Sequence, residues 1–362
     1  MHDVEILNDP IFFESNRVWR CYTGGKMLDE FVGNATAVDG NFPEDWLGSV
    51  TRADNDEQQQ SPDEGLTKLR GTDILFINLL KQYPTKALGG SHTGSLGVLC
   101  KFLDSAIRLP IQCHPDRKFA RLHCNSEYGK TESWLILATR KINGGEPYIL
   151  LGFKPGTTRE QFSQAVMAQD IPAMTGFMHK FPVNPGEVYF IPGRIPHAIG
   201  PGLMLLEVQE PTDLVVQPER HIGNVTLSEK QMWGSLKPET ALSCFDYSGT
   251  DSKDILNNLR LEPNLKHKYP GAVLESVINA AHTDCFTVDK LTVTRQTELP
   301  LDTPWHLGIV TSGSGRIIAQ SEWQVKRGDS FFISNKIKKL KYICSPEAET
   351  LQVYLISTGK KK

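Results

Sequence analysis

The sequence predicts a mostly β protein with a barrel or sandwich core and helical additions. Short apolar runs that partly alternate and are bounded by Pro or Gly recur along the chain, as at 132–139 and 203–209. Helix-like periodicity is confined to 65–84, 158–170 and the segment near 253–261. Many short strands with few helices are typical of barrels and sandwiches that carry helical insertions.

A polar stretch at 248–272, which encloses one of the helix-like segments, is the predicted linker. It separates a predicted N-terminal domain at 1–247, with its core at 95–215, from a predicted C-terminal domain at 273–362. A chain of 362 residues has room for about one to three domains, so this division is compatible with its length.

Two stretches of the chain repeat one pattern. Residues 186–197 read G-EVYFI-P-GRIP-H, and residues 328–339 read G-DSFFI-S-NKIK-K. The Gly, the apolar run and the turn recur at the same spacing, which predicts a repeated barrel unit. The second copy has Lys339 where the first has His197, so we expect only the first copy to hold a metal.

Composition argues against several classes of protein. With 39 basic and 42 acidic residues the formal charge is −3, which removes the usual electrostatic reason to expect a nucleic-acid partner. No run approaches the roughly 18 apolar residues of a membrane span, and the acidic N-terminus lacks the apolar region of a secretory signal. The seven cysteines are scattered without a CxxC pair, which favours a reducing, cytoplasmic location.

Several polar side chains share faces of the predicted strands. If 109–115 is a strand, Gln112 and His114 point to the same side, because side chains alternate along a strand. By the same rule Glu132 shares a face with Lys130 at the start of the next predicted strand. The pattern predicts that polar groups gather on one face of the sheet.

His197 completes a candidate metal site. It follows a Pro-Gly turn and lies five residues after Pro192. One amide oxygen, two imidazoles and one carboxylate would suit a divalent cation such as Zn²⁺, with room for water or substrate. A single histidine is more often a hydrogen-bonded structural residue, so the prediction depends on the whole set.

Longer stretches of the chain resemble a known family. The blocks at 99–134 and 191–213 are similar to type I phosphomannose isomerases, and the opening at 10–31 is similar more loosely. Residues 312–333 resemble the metal-free second cupin of that family. The G-x5-P-x4-H spacing that ends at His197 resembles the second cupin motif.

The resemblance implies a fold and an activity. The fold is an all-β double cupin, in which two jelly-roll barrels carry helical insertions and only the first binds metal. The activity is metal-dependent isomerisation between mannose 6-phosphate and fructose 6-phosphate through a cis-enediol. The implied partner is a small-molecule sugar phosphate, with neither nucleic acid nor membrane, and the oligomeric state is left open.

The resemblance also assigns roles to residues. The cofactor is Zn²⁺ or another divalent metal such as Mn²⁺, and its ligands fall on Gln112, His114, Glu132 and His197. The catalytic and substrate-binding residues fall on Lys101, Lys130, Glu207 and Trp19. Glu207 is the candidate base, and the alternation of its strand would place it on one face with Leu205 and Gln209. The two lysines are expected to stabilise negative charge.

Two departures from the family leave the substrate open. Pro110 stands where the family usually has a Ser near the substrate phosphate, and Gln217 stands where it has an active-site Arg, four residues after Asp213. Gln217 is then predicted to bind substrate without charge, and Arg220 to supply the catalytic cation. The alternatives are an isomerase for an unphosphorylated or otherwise different sugar, and a non-catalytic sugar-binding cupin.

Overall fold

The computed structural model describes residues 5–55, 58, 60–90 and 95–359, and over these residues β-strands predominate, as predicted. The strands up to residue 226 are β1 (Ile11–Phe12), β2 (Arg17–Val18), β3 (Glu44–Leu47), β4 (Leu99–Ser105), β5 (Glu132–Thr139), β6 (Tyr148–Phe153), β7 (Met178–Pro182), β8 (Val188–Ile191), β9 (His197–Ile199), β10 (Leu203–Gln209), β11 (His221–Ile222) and β12 (Val225–Thr226).

The remaining strands build the C-terminal part of the chain. They are β13 (Arg260–Leu261), β14 (Asn264–Tyr269), β15 (Ala272–Ile278), β16 (Phe286–Val293), β17 (Gln296–Pro300), β18 (His306–Ser312), β19 (Ser314–Ile318), β20 (Glu322–Lys326), β21 (Ser330–Ile333), β22 (Lys339–Cys344) and β23 (Leu351–Thr358).

The helices are short, and most of them lie in the first two thirds of the chain. After a 3₁₀ turn at Glu5–Asn8 they are α1 (Lys26–Val32), α2 (Phe76–Gln82), α3 (Pro84–Leu88), α4 (Arg117–His123), α5 (Arg159–Ala168), α6 (Ile171–Gly176), α7 (Glu229–Trp233), α8 (Pro238–Leu242) and α9 (Ser252–Leu259). The helix expected over 65–84 begins only at Phe76, because Gly65 and Gly71 adopt positive φ angles that interrupt a helix.

The predicted architecture of two barrels is confirmed. In the first barrel a seven-stranded sheet, β13-β8-β5-β10-β4-β3-β2, accompanies a three-stranded sheet, β7-β6-β9. In the second barrel a seven-stranded sheet, β1-β21-β18-β23-β16-β15-β14, accompanies a four-stranded sheet, β17-β22-β19-β20. The strand pairings are antiparallel, so the sheets can bury one face in each barrel and present the other.

The predicted domain boundaries stay a prediction, and the path of the chain bears on them. The passage from the first large sheet to the second takes place between β13 and β14, which lie inside the predicted linker at 248–272. Strand β1, however, lies in the predicted N-terminal domain and pairs with β21 of the second barrel.

A buried apolar layer joins the two large sheets. Phe102 and Leu206 contribute from the first sheet, and Phe286 and Ile356 contribute from the second. Because side chains alternate along a strand, the same strands β4 and β10 direct Lys101 and its neighbours to the opposite face, inside the first barrel. The layer therefore fixes the sheet that carries the candidate site.

The predicted repeat has the same spacing of its glycine and strands in both copies. Gly186 and Gly328 have φ angles of 92° and 94°, and β8 and β21 follow at the same offset. His197 and Lys339 each begin the next strand. His197 is buried, whereas the side chain of Lys339 is 67% exposed and pairs with Glu298, so the copies differ in what they present.

Within the described residues, no helix is long and apolar enough to cross a membrane.

Candidate active site

The candidate active site is a cleft of about 210 Å³ within the first barrel. Five strands contribute polar side chains to it: β3 supplies Glu44, β4 supplies Lys101, β5 supplies Glu132 and Trp134, β9 supplies His197 and β10 supplies Glu207. Glu132 and Trp134 share a face of β5, as the alternation predicts. The strands thus bring side chains from distant parts of the chain into one cleft.

Three of the predicted metal ligands lie together at the buried end of the cleft. The ligand atoms of His114, Glu132 and His197 all lie within 4.8 Å of one another. His114 Nε2 lies 3.3 Å from Glu132 Oε2, and His197 Nε2 lies 3.3 Å from Glu132 Oε1. All three residues are buried, so the donor set is closed to bulk solvent.

The two imidazoles are oriented by carbonyl groups behind them. His114 Nδ1 lies 2.9 Å from the Leu214 carbonyl oxygen, and His197 Nδ1 lies 2.9 Å from that of Ile195. A carbonyl can only accept, so each Nδ1 carries the proton and each Nε2 presents its lone pair to the site. This is the tautomer that a metal ligand requires.

Burial and charge hold these groups in their metal-binding protonation states. Burial, with Lys130 nearby, lowers the pKa of His114 to about 4. Burial likewise lowers the pKa of His197. For Glu132, burial opposes ionisation, but the Lys130 ammonium and the histidines lower the pKa of this carboxyl well below its usual range. Neutral imidazoles and an ionised carboxylate are therefore the expected forms.

The set fits a divalent cation, because its lone pairs face each other. His197 Nε2 is buried and, among the described residues, has no hydrogen-bond partner, although a carboxylate oxygen of Glu132 lies 3.3 Å away. Two acceptors at that distance repel unless a cation lies between them. Lys130 Nζ meets part of this need, at 2.8 Å from both His114 Nε2 and Glu132 Oε2.

Gln112 lines the cleft beside the histidines, but the strand predicted at 109–115 does not form. Residues 112 and 113 make only isolated bridges, because Pro110 and Pro115 lack the N–H group that a continuous ladder needs. The Gln112 N–H donates to the His197 carbonyl at 2.8 Å, and the His197 N–H donates back at 3.0 Å. Two ligand-bearing segments are thus joined through their backbones.

Glu219 anchors the segment that carries Gln112 and His114. Its carboxylate accepts the Ile111 N–H at 2.6 Å and both Nη groups of Arg108 at 2.7 and 2.6 Å. Replacing Glu219 by Ala leaves a half-buried guanidinium and a buried N–H unpaired. We expect the free energy of unfolding in urea to fall by about 3 kcal/mol.

The matched control is Glu322→Ala, which removes an exposed carboxylate paired with Arg316 at 3.0 Å. This variant is expected to stay within about 1 kcal/mol of the parent protein. Equal urea midpoints for the two variants would show that the Glu219 pair does not stabilise the segment.

A second polar cluster lies beside the metal ligands and contains Lys101 and Glu207. The strand register places Glu207 opposite Lys101 on one side and Trp134 on the other. Lys101 Nζ lies 3.2 Å from Glu207 Oε2 and 3.7 Å from Glu44 Oε2. Burial opposes the charge on Lys101, but these two carboxylates raise its pKa, so the ammonium persists inside the barrel.

Trp19 and Gln217 line the cleft, whereas Arg220 is not among the described residues that line it. The Gln217 amide nitrogen donates to the Gln231 carbonyl at 3.0 Å. Arg220 is 41% exposed and pairs with Glu229 on α7 at 2.6 Å. Proximity in sequence to Gln217 therefore does not bring Arg220 to the substrate side.

A buried cation that lines the cleft is Arg20, which the sequence reasoning missed. Its Nε donates to Glu44 at 3.0 Å, its Nη1 to Asn55 at 2.9 Å, and its Nη2 lies 3.3 Å from both carboxylate oxygens of Asp213. The guanidinium also lies over the ring of Trp46, at 5.0 Å from its centroid. The sequence signal was only its place beside Trp19, in the loosely similar opening segment.

Comparisons with known proteins show similarity to mannose-6-phosphate isomerases. Residues 276–345 match the family model described as the cupin domain of mannose-6-phosphate isomerase. The chain is 25% identical over 340 residues to the probable mannose-6-phosphate isomerase GmuF of Bacillus subtilis strain 168, which covers 90% of this chain and 94% of the relative.

Solved structures share the fold over nearly the whole chain. The mannose 6-phosphate isomerase of Bacillus subtilis superposes with a TM-score of 0.74 at 19% identity, covering 96% of this chain and 99% of that one. A zinc-bound mannose 6-phosphate isomerase superposes with a TM-score of 0.70 at 14% identity, covering 97% and 100%. The predicted double-cupin fold is confirmed, and the chain is similar to mannose-6-phosphate isomerases of the cupin superfamily over nearly its whole length.

Proposed function

We propose that the protein is a metal-dependent isomerase that interconverts mannose 6-phosphate and fructose 6-phosphate through a cis-enediol. The observation that carries the proposal is the meeting of His114, Glu132 and His197 with the Lys101–Glu207 pair in one buried cleft. The relatives named above as mannose-6-phosphate isomerases support the substrate, and the zinc-bound one supports zinc as the metal. Seven free cysteines support a reducing, cytoplasmic location.

The metal would be held by Gln112, His114, Glu132 and His197. A divalent ion bound there would supply a Lewis acid that stabilises negative charge on a substrate oxygen. Mixed nitrogen and oxygen donors suit Zn²⁺ and also tolerate Mn²⁺.

The reaction moves one proton between C1 and C2 of the sugar and a second proton between the oxygens on those two carbons. In the aldose-to-ketose direction we assign Glu207 to take the proton from C2 and return it at C1, since its carboxylate lies in the cleft within the same cluster as the ligands. The Lys101 ammonium, 3.2 Å from that carboxylate, would orient it and stabilise the oxygen that becomes negative in the enediol step. Lys130 contacts His114 among the proposed metal ligands and would help to stabilise negative charge on the same substrate oxygen.

A second candidate function is isomerisation of an unphosphorylated sugar. The lining of the cleft favours it, because Gln217 is uncharged and Leu109, Leu227 and Leu236 add apolar surface to the same cleft. Pro110 is not among the described residues that line the cleft. Gln217 itself therefore offers a phosphate no charge at the position where the family carries its Arg.

The experiment is solvent-deuterium exchange into C1 and C2, measured by NMR on metal-loaded protein with mannose 6-phosphate and with mannose side by side, and repeated after chelation. We expect fast exchange with the phosphate ester, lost on chelation and restored by Zn²⁺. Exchange with mannose alone would favour the second candidate. No exchange with either sugar would contradict both.

A further inference from the structure

We propose that Arg20 binds the phosphate of the substrate, so that a guanidinium from the N-terminal segment serves where residue 217 offers none. The inference rests on the proposed function, because it identifies the residue that recognises the phosphate of the sugar. Arg20 and Gln217 line the same cleft, and Arg20 is held by Asp213, which lies on the same loop as Gln217.

Arg20 lies at the far end of the polar wall from the metal ligands. Between them the wall carries, in order of contact from the metal ligands, Trp134, Glu207, Lys101 and Glu44. A hexose whose C1 and C2 lie at the metal ligands has its C6 substituent at the other end of the molecule. The side chain that meets that end along this wall is Arg20.

The guanidinium is fixed before any ligand arrives. Glu44, Asn55 and Asp213 each accept from a different nitrogen, and the ring of Trp46 lies beneath the plane. Among the described residues these contacts leave at least one Nη1 hydrogen of the five N–H donors for a ligand. A rigid planar donor that loses little freedom on binding suits a phosphate better than a mobile lysine.

Charge at the site becomes favourable to an anion once a divalent ion is present. Among the described cleft residues whose side chains are less than a fifth exposed, three cations face four carboxylates. These are Arg20, Lys101 and Lys130 against Glu44, Glu132, Glu207 and Asp213. The divalent ion turns a deficit of one positive charge into an excess of one.

The carboxylates around Arg20 stay ionised, which keeps it in place. Burial opposes ionisation of Glu44 and Asp213, but the Arg20 guanidinium lowers the pKa of both carboxyls below their usual range. Burial also disfavours the charged form of Arg20, but the Asp213 and Glu44 carboxylates outweigh it and raise the pKa of the guanidinium. A glutamine at position 20 would keep some hydrogen bonds and lose the charge.

The test measures binding without turnover. Mannitol 6-phosphate and mannitol lack the carbonyl group and cannot isomerise, so their dissociation constants on zinc-loaded protein report recognition alone. We expect Arg20→Gln to weaken mannitol 6-phosphate about tenfold to a hundredfold in calorimetry and to leave mannitol within about threefold. Arg20→Lys, which keeps the charge and should fold where the glutamine variant does not, is expected to lose about tenfold for the phosphate alone.

The matched control is Arg17→Gln. Arg17 lies in the same segment, pairs with Asp29 at 2.8 Å and is not among the described residues that line the cleft. Both affinities should remain at the parental values in this variant. It separates loss of a phosphate contact from disturbance of the N-terminal segment.

Several results would overturn the inference. They are equal weakening of both ligands by Arg20→Gln, phosphate affinity unchanged in either Arg20 variant, and a parent protein that binds mannitol 6-phosphate no more tightly than mannitol. Failure of the proposed function looks different: the parent would bind the phosphate selectively through Arg20 and yet exchange no deuterium with either sugar.

Discussion

Replacing His114 by alanine is expected to remove the metal and the isomerase activity together. The Nε2 atom of His114 lies within 4.8 Å of the ligand atoms of Glu132 and His197, so its loss would remove one of the proposed donors. We expect metal affinity to fall more than about a hundredfold, since even loss of an outer-shell partner costs 10–100-fold. Metal content by mass spectrometry after dialysis, and turnover on the same sample, measure the two effects.

A control must separate ligand loss from misfolding. His221→Ala changes an exposed histidine whose contact is the Thr226 hydroxyl, and it should keep parental metal content and turnover. Circular dichroism on both variants checks the fold, because His114 also holds the Leu214 carbonyl. A His114→Ala protein that turns over fully without metal would refute the assignment of this site.

Replacing Glu207 by glutamine is expected to stop proton transfer while the metal stays bound. The change removes a base but no proposed ligand, and it leaves Lys101 its contact with Glu44. The turnover number should drop by about 10²–10⁴-fold, the usual contribution of a positioned general base. Deuterium exchange into C1 and C2, with metal content from the same sample, distinguishes this result from ligand loss.

Glu298→Gln serves as the control for that substitution. Glu298 is exposed, pairs with Lys339 in the second barrel and should leave exchange unchanged when neutralised. If Glu207→Gln exchanged deuterium at the parental rate, the assignment of Glu207 as the base would be wrong and another group of the cleft would have to serve.

The elements of the site that the sequence could predict are those that follow strand periodicity. Glu132 and Glu207 lie on long strands whose alternation is regular, so their common face follows from position alone. Gln112 and His114 were assigned to one face on a strand that does not form, because prolines interrupt the ladder. Their approach to His197 depends instead on backbone bridges that no local pattern encodes.

Arg20 and Arg220 show what local sequence patterns cannot predict. Arg220 was chosen because it is near Gln217 in sequence, yet it pairs with Glu229 at the surface. Arg20 is 193 residues from Asp213, and only the closed barrel brings them within 3.3 Å. Long-range pairing of this kind has no periodic signature, so a charged residue in a short loop is easily passed over.

The second barrel supports the first one physically, because the two large sheets share an apolar layer and β1, from the N-terminal part of the chain, pairs with β21 of the second barrel. Removing the chain beyond a point in 248–272 would leave β1 without its partner β21. It would also expose Phe102 and Leu206, which lie on the reverse side of the sheet that carries Lys101 and Glu207. The second barrel therefore stabilises the sheet that carries the candidate site.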